Sequence, residues 1–390
     1  MEEVFWVSAF VIGYTYLGYP LLLAAWARLF PRTTRKAPYE APGKWPTVSI
    51  VLAARNEASR LPGRIINLLE LNYPGTREII VVSDGSTDGT AEVVRRFFRL
   101  SEEGTGASQA HAGLPQITVL EIPPAGKPAA LNTGVAAATG DVLVFADARQ
   151  RFSPDALVDL VSNFSDARVG GVTGQLLLDC EAPAGTDSSI GEGVGLYWKY
   201  EKWLRRNESA VWSTLGATGA IYALRRDLWA PLPADTLLDD VLAPMRAVLA
   251  GRRVVFDERA IAYDATSPDA AAESRRKTRT LAGNYQILGQ EPRLLLPIVN
   301  PVWLQYVSHK VARLFVPWAL VGVFVSSAVL AASSWWYAAA FIGQIAFYGL
   351  AVIGAWLDAR HEPAPARFVE RRSRPRRPAN ATYEFSKGAR

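Results

Sequence analysis

The amino-acid sequence predicts an α/β domain built on a parallel sheet and carried between membrane-spanning helices. Three observations predict it. Short runs rich in β-branched residues alternate with helical stretches from residue 48 to residue 145, the order expected of strands joined by crossover helices. A nearly unbroken apolar run opens the chain at 4–26, and two more lie near its end at 315–332 and 335–356. The loops after three of the strands carry acids and amides, and ligands of open parallel sheets bind outside the carboxyl ends of strands.

Taken in order, the first apolar run has Glu2 and Glu3 before it and Arg28, Arg32, Arg35 and Lys36 after it. A signal peptide has its positive charge on the other side, so residues 1–30 read as an uncleaved span with its N-terminus outside, followed by a linker at 31–45 on the inner side. In the domain at 46–290, strands are expected at 48–53, 78–82, 117–122 and 141–145, with helices at 59–69, 90–100 and 127–138. The small polar stretch 101–113 reads as a surface loop.

Residues 294–307 are apolar but broken by Pro297, Asn300 and Pro301, which favours interfacial helices over 291–313; a re-entrant or fourth spanning segment competes. Two spans follow at 314–357, divided by Ser333 and Ser334. The tail at 358–390 carries Arg367, Arg371, Arg372, Arg374, Arg376 and Arg377 and reads as a disordered segment near anionic lipid, with the sequon at Asn380 unused. Three spans put both basic clusters and the middle domain on one side. The expected location is a bacterial-type inner membrane, multi-pass, with the domain cytoplasmic.

Composition agrees. Of 390 residues, 49% are hydrophobic, too many for a typical soluble enzyme and too few for a transporter made only of helices. The net charge of +5 is accounted for by the clusters beside the spans, so nucleic acid is not expected as a partner and membrane lipid is. Cys180 is the sole cysteine, which excludes an intrachain disulfide and suits a small buried residue.

The chemistry-bearing candidates stand at the strand ends: Ala54, Arg55, Asn56 and Glu57 after the first strand; Asp84 and Asp88 in the loop after the second; Asp147 and Arg149 after the fourth. Turn-making and helix capping explain any one of these loops, and Asp88 and Thr90 suit that role. They explain three loops on one sheet edge less well. Lys127 opens a helix, where an anion can be met, but Gly-Lys-Pro is not a Walker sequence. The aromatic and basic stretch 197–206 reads as an amphipathic helix in preference to a base- or sugar-stacking platform, Trp212 and Trp229 as core or membrane-facing with sugar stacking open for Trp212, and His309 as structural.

Four segments, Ala-Arg-Asn-Glu at 54–57, Val-Ser-Asp-Gly-Ser-Thr-Asp-Gly-Thr at 82–90, Gly-Lys-Pro-Ala-Ala-Leu-Asn at 126–132 and Gly-Asp-Val-Leu-Val-Phe-Ala-Asp-Ala at 140–148, together resemble family 2 glycosyltransferases. The membrane-bound branch with hyaluronan, chitin, cellulose and poly-N-acetylglucosamine synthases is the most similar. The resemblance implies a GT-A, Rossmann-like nucleotide-diphospho-sugar transferase domain with N- and C-terminal transmembrane helices. It implies an inverting hexosyltransferase of polysaccharide biosynthesis type, moving a sugar from a UDP-sugar donor to a saccharide or lipid-linked acceptor hydroxyl.

By the same resemblance, Ala54, Arg55, Asn56, Glu57 and Asp84 line the uridine pocket, with Lys127 near the donor. Asp147 meets the ribose and a diphosphate-bound Mg or Mn ion. Asp239 and Asp240, ahead of Arg246 and Gly251, form the catalytic pair with Asp240 as base. Thr218, Gly219 and Ala220 shape the acceptor side, and Arg276 and Arg279 sit where processive synthases carry Gln-x-x-Arg-Trp.

The sequence also departs from the pattern. Arg149 stands where the second acid of Asp-x-Asp is expected, and Arg276 and Thr280 replace the Gln and Trp. The first departure weakens the metal site or makes Arg149 a diphosphate contact; the second puts long-chain processive synthesis in doubt and leaves single transfer open. A partner subunit supplying further membrane helices is compatible with two spans after the domain. The competing expectation is a non-catalytic membrane scaffold or nucleotide-binding protein on a degenerate transferase domain. A nucleotidyltransferase is a third reading, but the sequence lacks the Gly-rich triphosphate loop it would need.

Overall fold

The structure, a computed structural model, describes residues 1–34, 45–105, 115–179, 189–265 and 270–361. Arg35, Lys36, Cys180, Asn380, the six tail arginines and most of the 101–113 loop lie outside the described residues. The chain divides into two compact units, Glu3–Gly322 and Val323–Arg390, the latter together with Met1–Glu2.

The larger unit is organised by eight strands: β1 (Val48–Ala54), β2 (Arg77–Asp84), β3 (Gln116–Ile122), β4 (Val142–Ala146), β5 (Arg151–Phe152), β6 (Val169–Asp179), β7 (Ile221–Arg225) and β8 (Arg253–Ala265). They form one sheet in the order β3-β2-β1-β4-β7-β6-β8-β5. The first four pair in parallel, as the alternation of strands and helices predicts. Beyond them the expectation of a parallel sheet needs correcting. β7 runs antiparallel to both β4 and β6, and β5 runs antiparallel to β8, so the sheet is mixed. The reversal is local: Thr218 bridges to Ile221, and this tight turn sends the chain back along β4.

Successive side chains of a strand face opposite sides of the sheet, and β1 shows the result. Ile50 and Leu52 join one buried cluster with Leu61, Ile65 and Leu68; Val51 joins the other with Ala130, Leu131 and Val135. The helices are α1 (Glu2–Gly13) and α2 (Tyr19–Leu29) of the N-terminal run, then α3 (Leu61–Leu69), α4 (Thr90–Thr105), α5 (Lys127–Ala137) and α6 (Ala156–Val161). After them come α7 (Ser189–Val211), α8 (Asp239–Leu249) and α9 (Ala270–Gln290). α5 lies close on β1: a Cβ at Gly134 would stand 2.6 Å from Val51, so only glycine allows this approach.

Three helical runs are long and apolar enough to cross a membrane: Glu2–Leu29, Trp303–Leu330 and Trp335–Gly354. The first joins α1 to α2 through a π-helical turn at Tyr14–Gly18. The second holds α10 (Trp303–Tyr306), a π turn at Val307–Val311 and α11 (Ala312–Leu330) without a break, so the last part of the segment expected to be interfacial is continuous with it. The third lies in α12 (Trp335–His361). Trp6, Phe10, Leu17 and Leu21 of the first run are exposed, as are Trp335, Phe347, Leu350 and Val352 of the third, an arrangement suited to lipid and not to water.

α7 carries the amphipathic character expected of 197–206. Leu204 packs with Tyr19 and Leu23 of α2, and on the same helix Arg206 pairs with Glu258 at 2.6 Å. Below that contact is a buried polar cluster. Glu208 of α7 accepts a hydrogen bond from Tyr19 at 3.0 Å and lies 2.5 Å from His309 Nδ1 of the π turn, while Arg313 donates to Glu201 at 2.5 Å. His309 is therefore structural, as its sequence context suggests.

Candidate active site

The loops after β1 and β2 are tied together by side chains at the positions singled out in the sequence. Asn56 adopts φ 56°, a left-handed conformation that asparagine tolerates better than most residues. From there its side-chain oxygen accepts the Thr87 N–H at 2.8 Å, and its own N–H donates to Ser86 at 3.1 Å. Asp88 accepts the N–H groups of Ala58 and Thr90, which makes it a helix cap for α4, as expected. Glu57 pairs with Arg60 at 2.7 Å, Arg55 is an exposed side chain 3.9 Å from Asp84, and Ala54 is buried at the end of β1.

Asp84, buried at the end of β2, does something its sequence position does not announce. Its two oxygens accept the backbone N–H groups of Ala125 and Gly126 at 2.6 and 3.0 Å. Gly126, at φ 88°, immediately precedes Lys127, the first residue of α5. Asp84 thus fixes the turn that aims Lys127. Gly85 allows this crossing, because a Cβ there would stand 2.3 Å from Pro124.

Lys127 is the hub of the site. Its Nζ lies 3.2 Å from Asp147 Oδ1, one residue past β4, and 3.3 Å from Asp239 Oδ2, at the start of α8. Enclosure opposes the ammonium's charge, but Asp239, Asp147 and Asp240 outweigh it and raise the lysine pKa, so the charged form is firmly held. Asp240, the next residue of α8, has its carboxyl pushed up to about 6, first by burial and then by Asp239, with Lys127 acting against both. Asp240 Oδ2 accepts the Gly219 N–H at 3.1 Å, and its backbone carbonyl accepts the Ala217 N–H at 2.7 Å.

Of the acceptor-side residues expected from the resemblance, Gly219 touches Asp240. Thr218 receives a hydrogen bond from Arg205 of α7, Gly219 adjoins Asp240, and Ala220 is buried just before β7. The pair Asp239 and Asp240 is positioned by α9: Gln286 accepts the Leu237 N–H at 2.9 Å and donates to the Asp235 carbonyl at 2.8 Å.

Arg149 points elsewhere. Its guanidinium donates to Asp264 of β8 at 2.7 Å, with Gln150 donating to the same oxygen at 3.0 Å. Arg276 and Arg279 are exposed positions of α9, and Arg276 lies over the Trp198 ring at 5.5 Å. Among the described residues no ion pair joins Arg279 to Asp147, Asp239 or Asp240.

Sequence reasoning missed three contributors. Asp264 lies in a strand with no motif around it. Tyr222, 1% exposed, has a hydroxyl without a hydrogen-bond partner, and burial followed by Asp239, Asp240 and Asp147 raises its pKa. Arg64 of α3 is buried over Phe152 at 4.1 Å with its pKa lowered to about 9 by burial, partly offset by Asp147. Each lies in an ordinary strand or helix pattern, so only the folded chain reveals it.

For a divalent cation, the chemistry of the donor set is mixed. Asp147 and Asp239 are hard oxygen donors converging on one point, whereas position 149 offers a cation. No group of three His, Cys, Asp or Glu side chains that could hold a metal occurs among the described residues.

Residues 49–229 match the family model described as Glycosyl transferase family 2. A beta-monoglucosyldiacylglycerol synthase from a Nostoc strain is 32% identical over 183 residues, 44% of this chain and 34% of that protein. The chain thus spans about a third of that relative's length. The probable glycosyltransferase YdaM of Bacillus subtilis is 25% identical over 302 residues, 74% of this chain and 67% of that one. Among solved structures, the mannosyltransferase PcManGT from Pyrobaculum calidifontis, in complex with GDP-Man and Mn2+, aligns with a TM-score of 0.65 at 24% identity, covering 89% of this chain and 92% of that one. The fold is accordingly that of the GT-A transferases.

Proposed function

From the premise that residues 49–229 are a glycosyl transferase family 2 domain, we propose that the chain is an inverting glycosyltransferase working at the cytoplasmic face of an inner membrane. It moves a sugar from a UDP-sugar to a hydroxyl of a saccharide or lipid-linked acceptor. The observation that carries this reading is the convergence of Lys127, Asp147, Asp239 and Asp240 from three separate elements at the carboxyl edge of the sheet.

In this reading Asp240 takes the proton of the acceptor hydroxyl as that oxygen attacks the anomeric carbon. The Gly219 N–H, 3.1 Å from Oδ2, holds the carboxylate in place for the approach. Attack opposite the leaving nucleoside diphosphate inverts the anomeric centre. Lys127 supplies positive charge where the diphosphate departs. A divalent cation, when bound, would offset the same charge as a Lewis acid. The loops after β1 and β2, braced by Asn56, Asp88 and Asp84, offer a rigid floor for the nucleoside.

An acceptor at the membrane is supported by the three apolar runs and by a relative named as a synthase of a glucosyl-diacylglycerol. The order of charges around 4–26 supports the cytoplasmic side.

The test is to incubate the full chain in detergent with radiolabelled UDP- and GDP-sugars and a crude lipid extract. Label entering the organic or polymer fraction from a UDP-sugar, lost in Asp240→Asn while UDP still binds, is the expected result. Transfer at the wild-type rate by Asp240→Asn would remove the base from the scheme, and no transfer or nucleotide binding with any donor would remove the function.

A further inference from the structure

The sequence leaves a gap where a second metal-binding acid belongs, because Arg149 occupies it. The structure shows that Arg149 is not simply a misplaced cation in the site. It is drawn off by Asp264, a carboxylate 4% exposed, so that its charge is met within the protein.

What remains beside Asp147 is Asp239. Asp147 Oδ1 and Asp239 Oδ2 approach a single point from β4 and α8, and that point holds a cation already: the Lys127 ammonium, at 3.2 and 3.3 Å. Asp239 is 6% exposed, and its Oδ2 accepts no hydrogen bond; Lys127 is its ion-pair neighbour. A buried carboxylate oxygen without a hydrogen bond is costly, on the order of several kcal/mol before compensation, and a single ammonium shared by two acids compensates it incompletely.

A second, independent observation points to the same place. The Tyr222 hydroxyl, almost fully buried, has no hydrogen-bond partner and stands in the field of Asp239, Asp240 and Asp147. It is a buried donor left over near the acids, as expected where a hydrated ion or ligand oxygen completes the set.

Charge leads to the same conclusion. Asp147, Asp239 and Asp240 face the Lys127 ammonium, with Lys310 acting on Asp240 and the Arg64 guanidinium on Asp147. These cations are already engaged with the site's own acids before a nucleoside diphosphate adds its negative charge. An anionic donor entering such a site needs a further cation, and a hard divalent ion with carboxylate and phosphate oxygens is the class that fits.

We infer that Asp239 and Asp147 together form the seat of a hard divalent cation, with Asp239 replacing the acid missing at position 149, and that Lys127 holds this seat until the ion arrives with the nucleoside diphosphate. The inference rests on the glycosyltransferase reading above. Lys127 then releases the two carboxylates and pairs with the diphosphate, remaining a cation throughout. No bond is made or broken in this exchange.

Mn2+ binding tests it without reliance on turnover, using the full chain in detergent and the free-ion electron paramagnetic resonance signal, with and without UDP. Asp239→Asn should weaken Mn2+ binding in the presence of UDP about tenfold or more, whereas Arg149→Ala should leave it within about threefold. Lys127→Met should bind Mn2+ more tightly than wild type when no nucleotide is present, a gain that misfolding cannot mimic. Wild-type Mn2+ affinity in Asp239→Asn, or an unchanged Lys127→Met, overturns the seat while leaving the transferase reading intact if the wild type still transfers sugar. Absence of UDP binding and of transfer in the wild type overturns both.

Discussion

The Gly219 N–H donates to Asp240 Oδ2 at 3.1 Å, and a Cβ on residue 219 would stand 2.9 Å from that same oxygen. The glycine therefore does two things: it orients the carboxylate and leaves no atom to push it away. Gly219→Ala should force the Asp240 side chain to turn, and misplacement on the order of 1 Å can cost about a hundredfold in rate. The expected outcome is a kcat lowered by about tenfold to a hundredfold with UDP affinity and thermal unfolding near wild type. Unchanged kcat would mean that Asp240 acts from another rotamer.

Asp84 offers a different kind of test, because its contacts are with backbone and not with Lys127 itself. Removing it in Asp84→Ala leaves the Ala125 and Gly126 N–H groups without their acceptor. Each lost charge-assisted bond is worth about 1.5–3 kcal/mol, so global stability should fall by a few kcal/mol. Asp84→Asn retains one acceptor oxygen and should lose less. Donor affinity should fall in both, since the turn before α5 sets where Lys127 points. Denaturant unfolding and UDP titration separate the two effects.

How much of this was legible in the sequence follows from how local each feature is. The first four strands and their crossover helices are marked by runs of β-branched residues ending in Gly- and Asp-rich turns, and they appear as β1 to β4 with ends shifted by one to a few residues. Asp147 and Lys127 were legible as candidates because each follows or opens a regular element, and Asp239 and Asp240 through the family resemblance. Their mutual distances were not, since residues 127 and 239 are far apart in the chain and meet only in the fold. The antiparallel half of the sheet escaped for a related reason. A strand that reverses in a tight turn reads the same as one that does not. Asp264 and Tyr222 were invisible because burial, not sequence context, gives them their importance.

Acid stability has its own marker in Glu78. This carboxylate on β2 accepts Ser49 Oγ at 2.6 Å and both the N–H and hydroxyl of Thr139 at 2.8 Å, joining β1, β2 and the turn before β4. Burial opposes its ionisation, but the hydrogen bonds from Ser49 and Thr139 outweigh burial and lower its pKa. A carboxyl with a depressed folded pKa contributes stability above the unfolded value of about 4.3, and this is lost as pH falls through the folded value. Glu78→Gln should therefore be less stable than wild type at neutral pH, and the gap between the two should shrink below about pH 4. Urea unfolding between pH 3 and pH 7 measures it, and a gap that stays constant with pH would assign Glu78 a purely steric role.

The polar cluster beside the membrane runs gives the last prediction. Glu208 accepts from Tyr19 at 3.0 Å and contacts His309 Nδ1 at 2.5 Å, so one carboxylate joins α2, α7 and the π turn at Val307–Val311. Tyr19 is 2% exposed and His309 4%, so neither can turn to water when its partner is removed. Glu208→Ala should leave both unsatisfied, at a cost of about 1–3 kcal/mol for each buried polar group. Glu208→Gln keeps an acceptor for Tyr19 and should be milder. The measurement is thermal unfolding in detergent. A Tyr19→Phe, Glu208→Ala double variant closes the argument, because removing the donor as well as the acceptor should recover part of the loss, whereas additive losses would show that Glu208 and Tyr19 act independently.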